Sequence, residues 1–358
     1  MQRSSARGQV ETRAPQQFEA TVAAGLEEIL CDELERFGTR LRIATVERGP
    51  IAGAVRFDYT GDLRSLLKLR TALAVFLIRS FPVPRPRALL GDEHLRTLIA
   101  TIGQVQALHP PSSFATLHVS AAGTETAVMT RLRDEIQRHT RLSDAPEEGD
   151  MLLRLRRDPE YDGWEVLVRL TPRPLATRSW RICNLEGALN ATVACAMMRL
   201  TLPSEHDQVL NLACGSGTLL IERLSLAPVR QAIGCDTNRT ALECAQRNVE
   251  AAGFADRIVL HPWDARKLPL PNQSVDVICA DFPFGHLVGS HRENLDLYPA
   301  IFKEATRVAR QAARFVLITH EVRLTEELIA DHDDWGTDGV VRITLGGLHP
   351  RIYLLRRR

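Results

Sequence analysis

The chain has 358 residues, 44% hydrophobic and 25% charged, with a formal net charge of +1. That length exceeds one ordinary core and predicts two or three domains. No run approaches the roughly 18 consecutive apolar residues of a membrane-spanning helix, and the start lacks the apolar core of a secretory signal, so a cytoplasmic protein with no membrane partner is expected. The seven cysteines (Cys31, Cys183, Cys195, Cys214, Cys235, Cys244, Cys279) are odd in number and include no Cys-x-x-Cys pair. They are expected to be reduced and mostly buried, and no metal site is expected. The near-zero charge gives no global footprint for nucleic acid, and the cations are almost all arginine, since Lys68, Lys267 and Lys303 are the only lysines.

Residues 1–17 read as a disordered tail. Their Arg/Ser-rich, acid-poor composition is also that of an organelle-targeting segment, and both readings stay open. From Phe18 a short strand ends at Gly25, a helix follows with Leu26, Ile29, Leu30 and Leu34 on one face, and Gly38 stops it. Two strands, Ile43 to Arg48 and Ala54 to Tyr59, precede a helix carrying Leu63, Leu66, Leu67 and Leu69. This β-α-β-β-α order predicts an α+β domain over 18–80. Alternation of Pro with Val or Arg from Phe81 to Arg87 reads as an extended connection into a second α+β domain, 81–173. Its expected elements are a helix near 92–107, a strand Phe114 to Val119, a helix near 126–141, and strands Met151 to Arg156 and Trp164 to Leu170. A linker, 174–190, and a helix near 187–200 follow.

Over 191–358 the pattern alternates strand and helix, with apolar runs at Val209 to Leu212, Ala232 to Cys235, Ile258 to Leu260, Val275 to Ala280 and Phe315 to Thr319. Continuous apolar strands separated by helices predict an α/β domain with a parallel sheet covered on both faces. The last two strands, Val340 to Leu345 and Ile352 to Leu355, share a short Gly/Pro loop and predict an antiparallel hairpin at the sheet edge.

The run Asn211-Leu212-Ala213-Cys214-Gly215-Ser216-Gly217-Thr218 leads from a buried strand through a glycine turn into a helix, whose first N–H groups are free for a ligand. A dinucleotide fingerprint needs a small residue three positions after Gly217; Leu220 stands there, and no Gly-Lys-Ser/Thr of a phosphate loop is present. Asp236 and Asp264 follow the next two strands, placed for a ribose diol and an adenine amine. The set resembles the S-adenosylmethionine site of class I, Rossmann-like methyltransferases. The resemblance implies that Asn211, Ala213, Gly215, Gly217, Thr218, Asp236, Thr237, Asp264 and Ala265 bind that cofactor. Asn211 departs from the acidic residue usual at its position.

Asp281-Phe282-Pro283-Phe284 follows the strand Val275 to Ala280. An exocyclic base amine is a weak nucleophile because its lone pair is delocalised into the ring, and acceptors aimed at its N–H bonds localise that pair. Asp281 and a backbone carbonyl fixed by Pro283 can supply the acceptors, and Phe284 can stack on the base. Alone, the tetrapeptide is equally a buried strand end with a turn. It resembles the Asp/Asn-x-Pro-Tyr/Phe signature of amino-group methyltransferases, with Phe282 where Pro is commoner.

The stretch DFPFGHLVGSHRENLDLY (Asp281 to Tyr298), with NLACGSGTLLIE (Asn211 to Glu222) and GCDTN (Gly234 to Asn238), resembles THUMP-domain RNA methyltransferases that make N2-methylguanosine, in the branch acting on guanosine 6 of tRNA. The resemblance implies a ferredoxin-like domain over 18–80, a THUMP domain over 81–173 and a catalytic domain over 191–358, acting on tRNA; a monomer is expected. Between Arg64 and Arg87 six basic residues occur with no acidic one. Arg173, Arg178 and Arg181, with Arg292 near the active site, are expected to contact RNA, by bidentate phosphate contacts or beside a flipped base. Ribosomal RNA, a nucleic-acid adenine N6, or an RNA-binding protein without turnover are the alternatives.

Overall fold

Because strands apolar on both faces must be covered on both, the runs of the C-terminal half dictate a sandwiched sheet. The computed structural model describes residues 14–41, 43–123, 125–282 and 290–358. The chain divides into two units, one of residues up to 21, 31–69 and 74–173, the other of residues 22–30, 70–73 and 174–358.

In the first unit β1 (Gln16–Thr21), β2 (Ile43–Arg48), β3 (Ala54–Tyr59), β4 (Ala74–Phe81), β5 (Thr116–Ala121), β6 (Ser143–Asp144), β7 (Met151–Arg157) and β8 (Trp164–Arg169) form one sheet. Its order is β2-β3-β1-β4-β8-β7-β5-β6. Helices α1 (Glu27–Leu41), α2 (Asp92–Gln106) and α3 (Ala127–Thr140) alternate with these strands along the chain. The β4–β8 pairing, Phe76 opposite Arg169 through Phe81 opposite Trp164, makes the sheet continuous across the stretches 18–80 and 81–173.

Several sequence expectations need correcting here. Strand β4 was not expected: its first five residues are all buried, so it lacks the alternation that announces a half-exposed strand. Leu63–Lys68 is a 3-10 helix. The first strand begins at Gln16, inside the stretch read as a tail, and the rest of that tail through residue 13 lies outside the described residues. Gly38 does not stop α1, which runs to Leu41.

The second unit contains β9 (Gln208–Leu212), β10 (Gln231–Cys235), β11 (Ile258–His261), β12 (Val275–Asp281), β13 (Ala309–Thr319), β14 (Trp335–Arg342) and β15 (Arg351–Arg357). It also holds helices α4 (Ala191–Leu200), α5 (Thr218–Leu226), α6 (Arg239–Ala251), α7 (His291–Val308) and α8 (Val322–Asp331). The sheet order is β11-β10-β9-β12-β13-β15-β14. Strands β9 to β13 are mutually parallel, and β15 runs antiparallel to both β13 and β14. The expected edge hairpin is therefore present. From β9 the chain builds outward through β10 and β11, then returns to the other side of β9 with β12. The order thus reverses between β9 and β12, and such a switch point opens a crevice at the carboxyl ends of the strands. Below it lies an aromatic core containing Tyr298, Phe302, Phe315 and Trp335.

Cys183 and Cys244 are joined by a disulfide, with their Cα atoms 5.4 Å apart, which corrects the expectation of seven reduced thiols. The partners are 61 residues apart in sequence, and only the fold brings them together. Cys195, Cys214, Cys235 and Cys279 are outside this disulfide and buried.

Candidate active site

The crevice is set by register. Asn211 pairs with Cys279 and Leu212 with Ala280, so the next residues along the two strands, Ala213 and Asp281, emerge side by side. The glycine turn comes first. Ala213, Gly215 and Gly217 have φ of 46°, 52° and 79°, a tight left-handed path that a β-carbon disfavours. Cys214 N–H donates to Cys235 O at 2.9 Å and Gly217 N–H to Cys214 O at 2.9 Å, after which α5 begins at Thr218. Gly234 on β10 lets α5 lie close: a β-carbon there would stand 2.9 Å from Leu220 Cδ1 and 2.8 Å from Leu260 Cδ2. Leu220, which argues against a dinucleotide fingerprint, fills the space that Gly234 leaves.

Asp236 braces this turn. Its Oδ2 accepts from Gly215 N–H at 2.9 Å and its Oδ1 from Asn238 N–H at 2.9 Å. A carboxylate has about four lone-pair sites, so capacity for a diol remains. Thr237 is exposed beside it. Asn211 is 1% exposed, and its Nδ2 donates to Leu212 O and Cys279 O, both at 3.1 Å. A carboxylate could make neither bond, which accounts for an amide here: it ties β9 to β12. Its Oδ1 is buried with no partner among the described residues. Asp264 is engaged by Arg266, with Nη2 to Oδ2 at 2.7 Å, and that contact holds its carboxyl below the usual range. Ala265 packs against the aromatic core.

Asp281 is the other half of the site. Burial pushes its carboxyl up to about 7, and Oδ1 is covered with no partner among the described residues. Phe282, the unusual residue of the motif, is turned into the aromatic core. It is 1% exposed, its ring lies 4.6 Å from Tyr298, and its N–H extends the ladder to Ile318 O at 3.1 Å. Pro283, Phe284 and His286 lie outside the described residues.

Sequence reasoning overlooked the wall beside Asp281, at the end of β13. The Tyr298 and Thr319 hydroxyls lie 2.9 Å apart, and Glu321 N–H donates to Thr319 Oγ1 at 2.9 Å. Glu321 accepts from Asn294 Nδ2 at 3.1 Å and meets His291 Nδ1 at 2.8 Å. The available signal was a carboxylate just past another strand end, as at Asp236 and Asp264. Burial pushes the Tyr298 hydroxyl upward. It also pushes the Cys214 thiol well up and Cys235 to about 12, so neither offers a thiolate as nucleophile.

The four arginines named for RNA stand differently. Arg173 is 62% exposed, 3.7 Å from Glu148, and Arg292 is exposed on the first turn of α7. Arg178 donates from Nε to the fully buried Glu222 at 2.9 Å and from Nη2 to Arg70 O at 2.7 Å. Arg181 reaches Thr218 Oγ1 at 2.9 Å and Leu189 O at 2.8 Å. Arg178 and Arg181 thus hold the segment before α4 against α5.

This reversed α/β sheet, with a glycine turn at one strand end and Asp281 at the next, is a Rossmann-like methyltransferase fold. Residues 178–351 match the family model described as RMKL-like, methyltransferase domain. The mouse tRNA (guanine(6)-N(2))-methyltransferase THUMP3 is 34% identical over 182 residues, 47% of this chain and 36% of that protein. The chain therefore spans about a third of the length of that mammalian relative. The tRNA (guanine(6)-N2)-methyltransferase of Methanocaldococcus jannaschii is 24% identical over 94% of this chain and 99% of its own length. The crystal structure of TrmN from Thermus thermophilus superposes with a TM-score of 0.75 at 24% identity, covering 96% of this chain and all of that one, and so shares the fold.

Proposed function

We propose that this protein transfers a methyl group from S-adenosylmethionine to the exocyclic N2 of a guanosine in tRNA, at position 6 of the acceptor stem. The observation that carries the reading is Asp281: a largely buried carboxyl whose Oδ1 is covered and without a partner among the described residues, one strand from the glycine turn, at the switch point of the sheet. The names of the relatives support RNA as the substrate class and guanine N2 as the amine.

The residues present fit the cofactor. The glycine turn leaves open space at Gly215, where no atom of the described residues lies within 4 Å of an added β-carbon, and Asn211 Oδ1 is an acceptor without a partner among the described residues. Asn211, Ala213, Gly215, Gly217 and Thr218 would hold the methionine part, Asp236 and Thr237 the ribose, and Asp264 and Ala265 the adenine. When bound, the cofactor supplies a methyl group on a sulfonium. Asp281 accepts an N–H of the guanine amine, localises its lone pair, and takes the proton released as the N–C bond forms. Pro283 and Phe284 contribute a carbonyl acceptor and a stacking face. Phe282 and the Tyr298–Thr319 contact fix the strand end that aims Asp281. In this reading 18–80 is a ferredoxin-like domain, 81–173 a THUMP domain that grips tRNA with Arg173, 174–190 a linker and 191–358 the cytoplasmic enzyme's catalytic domain. Arg292 contacts RNA beside the flipped base.

Incubation with S-adenosylmethionine and unmodified tRNA transcripts, followed by mass spectrometry of the nucleosides, is expected to yield N2-methylguanosine. Its absence from tRNA overturns the proposal. Methylated ribosomal RNA or N6-methyladenine would redirect it to another acceptor, and RNA binding without transfer would leave a protein that has lost turnover.

A further inference from the structure

Behind the glycine turn a second set of contacts, used by none of the steps above, joins the irregular segment before α4 to α5 and α6. At its centre is Asn248 on α6, a polar side chain with no exposure. Its Oδ1 accepts from Cys183 N–H at 2.9 Å, and its Nδ2 donates to Cys183 O at 2.9 Å and to Ser216 O at 3.1 Å. One amide therefore binds both backbone groups of Cys183 and a carbonyl inside the glycine turn. Four residues earlier on α6, about one helical turn, Cys244 is covalently bonded to the same Cys183. Two residues before Cys183, Arg181 donates to Thr218 Oγ1, which itself lies 3.1 Å from Ser216 Oγ.

The consequence for the turn is mechanical. Ser216 sits between Gly215 and Gly217, both at positive φ, and glycines have no β-carbon to restrict them. The turn must be held from outside. Asp236 holds its crevice side through Gly215 N–H. Asn248 holds the opposite peptide through Ser216 O, and Asn248 is itself located by Cys183. A cofactor binds most tightly to a turn already in its bound shape, because less ordering accompanies binding.

We propose that Asn248 is a positioning residue for the cofactor turn, and that the Cys183–Cys244 disulfide locks the strap through which it acts, making cofactor affinity sensitive to thiol reductants. A dithiol would cleave the bond by exchange: its two electrons and two protons convert Cys183 and Cys244 to thiols, and the dithiol leaves as its own disulfide. The backbone bonds to Asn248 remain after reduction, so the covalent half modulates affinity and the amide half sets it.

The inference rests on the cofactor reading above, and the test separates the two. Affinity for S-adenosylhomocysteine is measured by calorimetry on the full-length protein, as purified and after dithiothreitol, for wild type, Asn248→Ala, Asn248→Asp and Cys183→Ser/Cys244→Ser. Asn248→Ala is expected to weaken binding about tenfold, the loss of buried hydrogen bonds carried into affinity. Asn248→Asp keeps the acceptor for Cys183 N–H, loses both donors, and is expected to weaken binding as well. Reduction is expected to weaken wild type two- to fivefold, on the order of a partial loss of preorganisation, and to leave the double serine variant unchanged. In methylation assays KM for the cofactor should rise while kcat at saturation holds. Thermal unfolding shows which variants fold, and the reduced wild type tests the strap without any substitution. Failure of the wild type to bind the cofactor overturns the cofactor reading and this inference with it. Tight wild-type binding that neither the Asn248 variants nor reduction changes overturns this inference alone.

Discussion

The two halves of the crevice sit on neighbouring strands and are built in opposite ways. At the end of β9 the turn is cross-braced: backbone N–H groups meet Cys214 O, Cys235 O and the Asp236 carboxylate. At the end of β12 the Asp281 carboxyl keeps a covered oxygen without a partner among the described residues, and burial raises it to about 7. Under the proposed function the first half is a finished receptor for a ligand that arrives with its own hydrogen-bonding groups, and the second is a cost to folding that a substrate amine would relieve. Unpaired buried polar groups are rare in proteins and concentrate where chemistry occurs.

The strongest way to break this contrast is Asp281→Asn. It keeps the shape and removes the charge, so methyl transfer should fall by about a thousandfold or more, as expected when an acceptor and base is lost, while cofactor affinity stays near wild type. The same variant should unfold at a higher temperature than wild type at pH 8, since no uncompensated charge is then buried. Equal activity in the two proteins would end the assignment of Asp281.

The pH dependence sharpens the same point. The folded Asp281 carboxyl lies above its unfolded value, so the folded state binds its proton more tightly. The stability that this allows is complete below about pH 4, the ordinary carboxylate range, and is lost as pH rises through about 7. The gap in unfolding free energy between Asp281→Asn and wild type should widen over that window to on the order of 4 kcal/mol, measured by urea titration at several pH values. Activity runs the other way, rising with pH through about 7, because only the ionised carboxylate accepts both the N–H bond and the proton.

On the braced side the effects are smaller and fall on binding. Asp236→Ala removes the acceptor of Gly215 N–H and should raise KM for the cofactor about tenfold with little change in kcat. Gly234→Val places a β-carbon against Leu260 and Leu220 and should lower stability by about 1–3 kcal/mol, readable as a lower melting temperature.

The parallel strands from β9 to β13 were legible because each is a short apolar run bounded by polar residues, and the glycine turn because only a strand and a helix flank it. Strand β4 was not, for the same apolar character without an alternation to mark its faces. Nor could the sequence separate arginines by task. Arg178 and Arg173 sit in one acid-free run, yet Arg178 is paired with buried Glu222 while Arg173 is exposed, and the partner lies 44 residues away in the chain. The inward ring of Phe282 and the Cys183–Cys244 bond are likewise contacts between distant segments. They follow from the fold rather than from spacing.

The pairing of Leu212 with Ala280 has a consequence for how this domain can change over generations. Each residue advances a strand by about 3.3 Å and turns its side chain to the other face. A single-codon insertion in β12 would therefore carry Asp281 away from Ala213 and also point its neighbour into the crevice. The stretch from Ala252 to Arg257 between α6 and β11 lies outside the sheet, so a change of length there shifts no strand register. Length variation should be tolerated there and purged from β9 and β12, even where substitutions within those strands are mild.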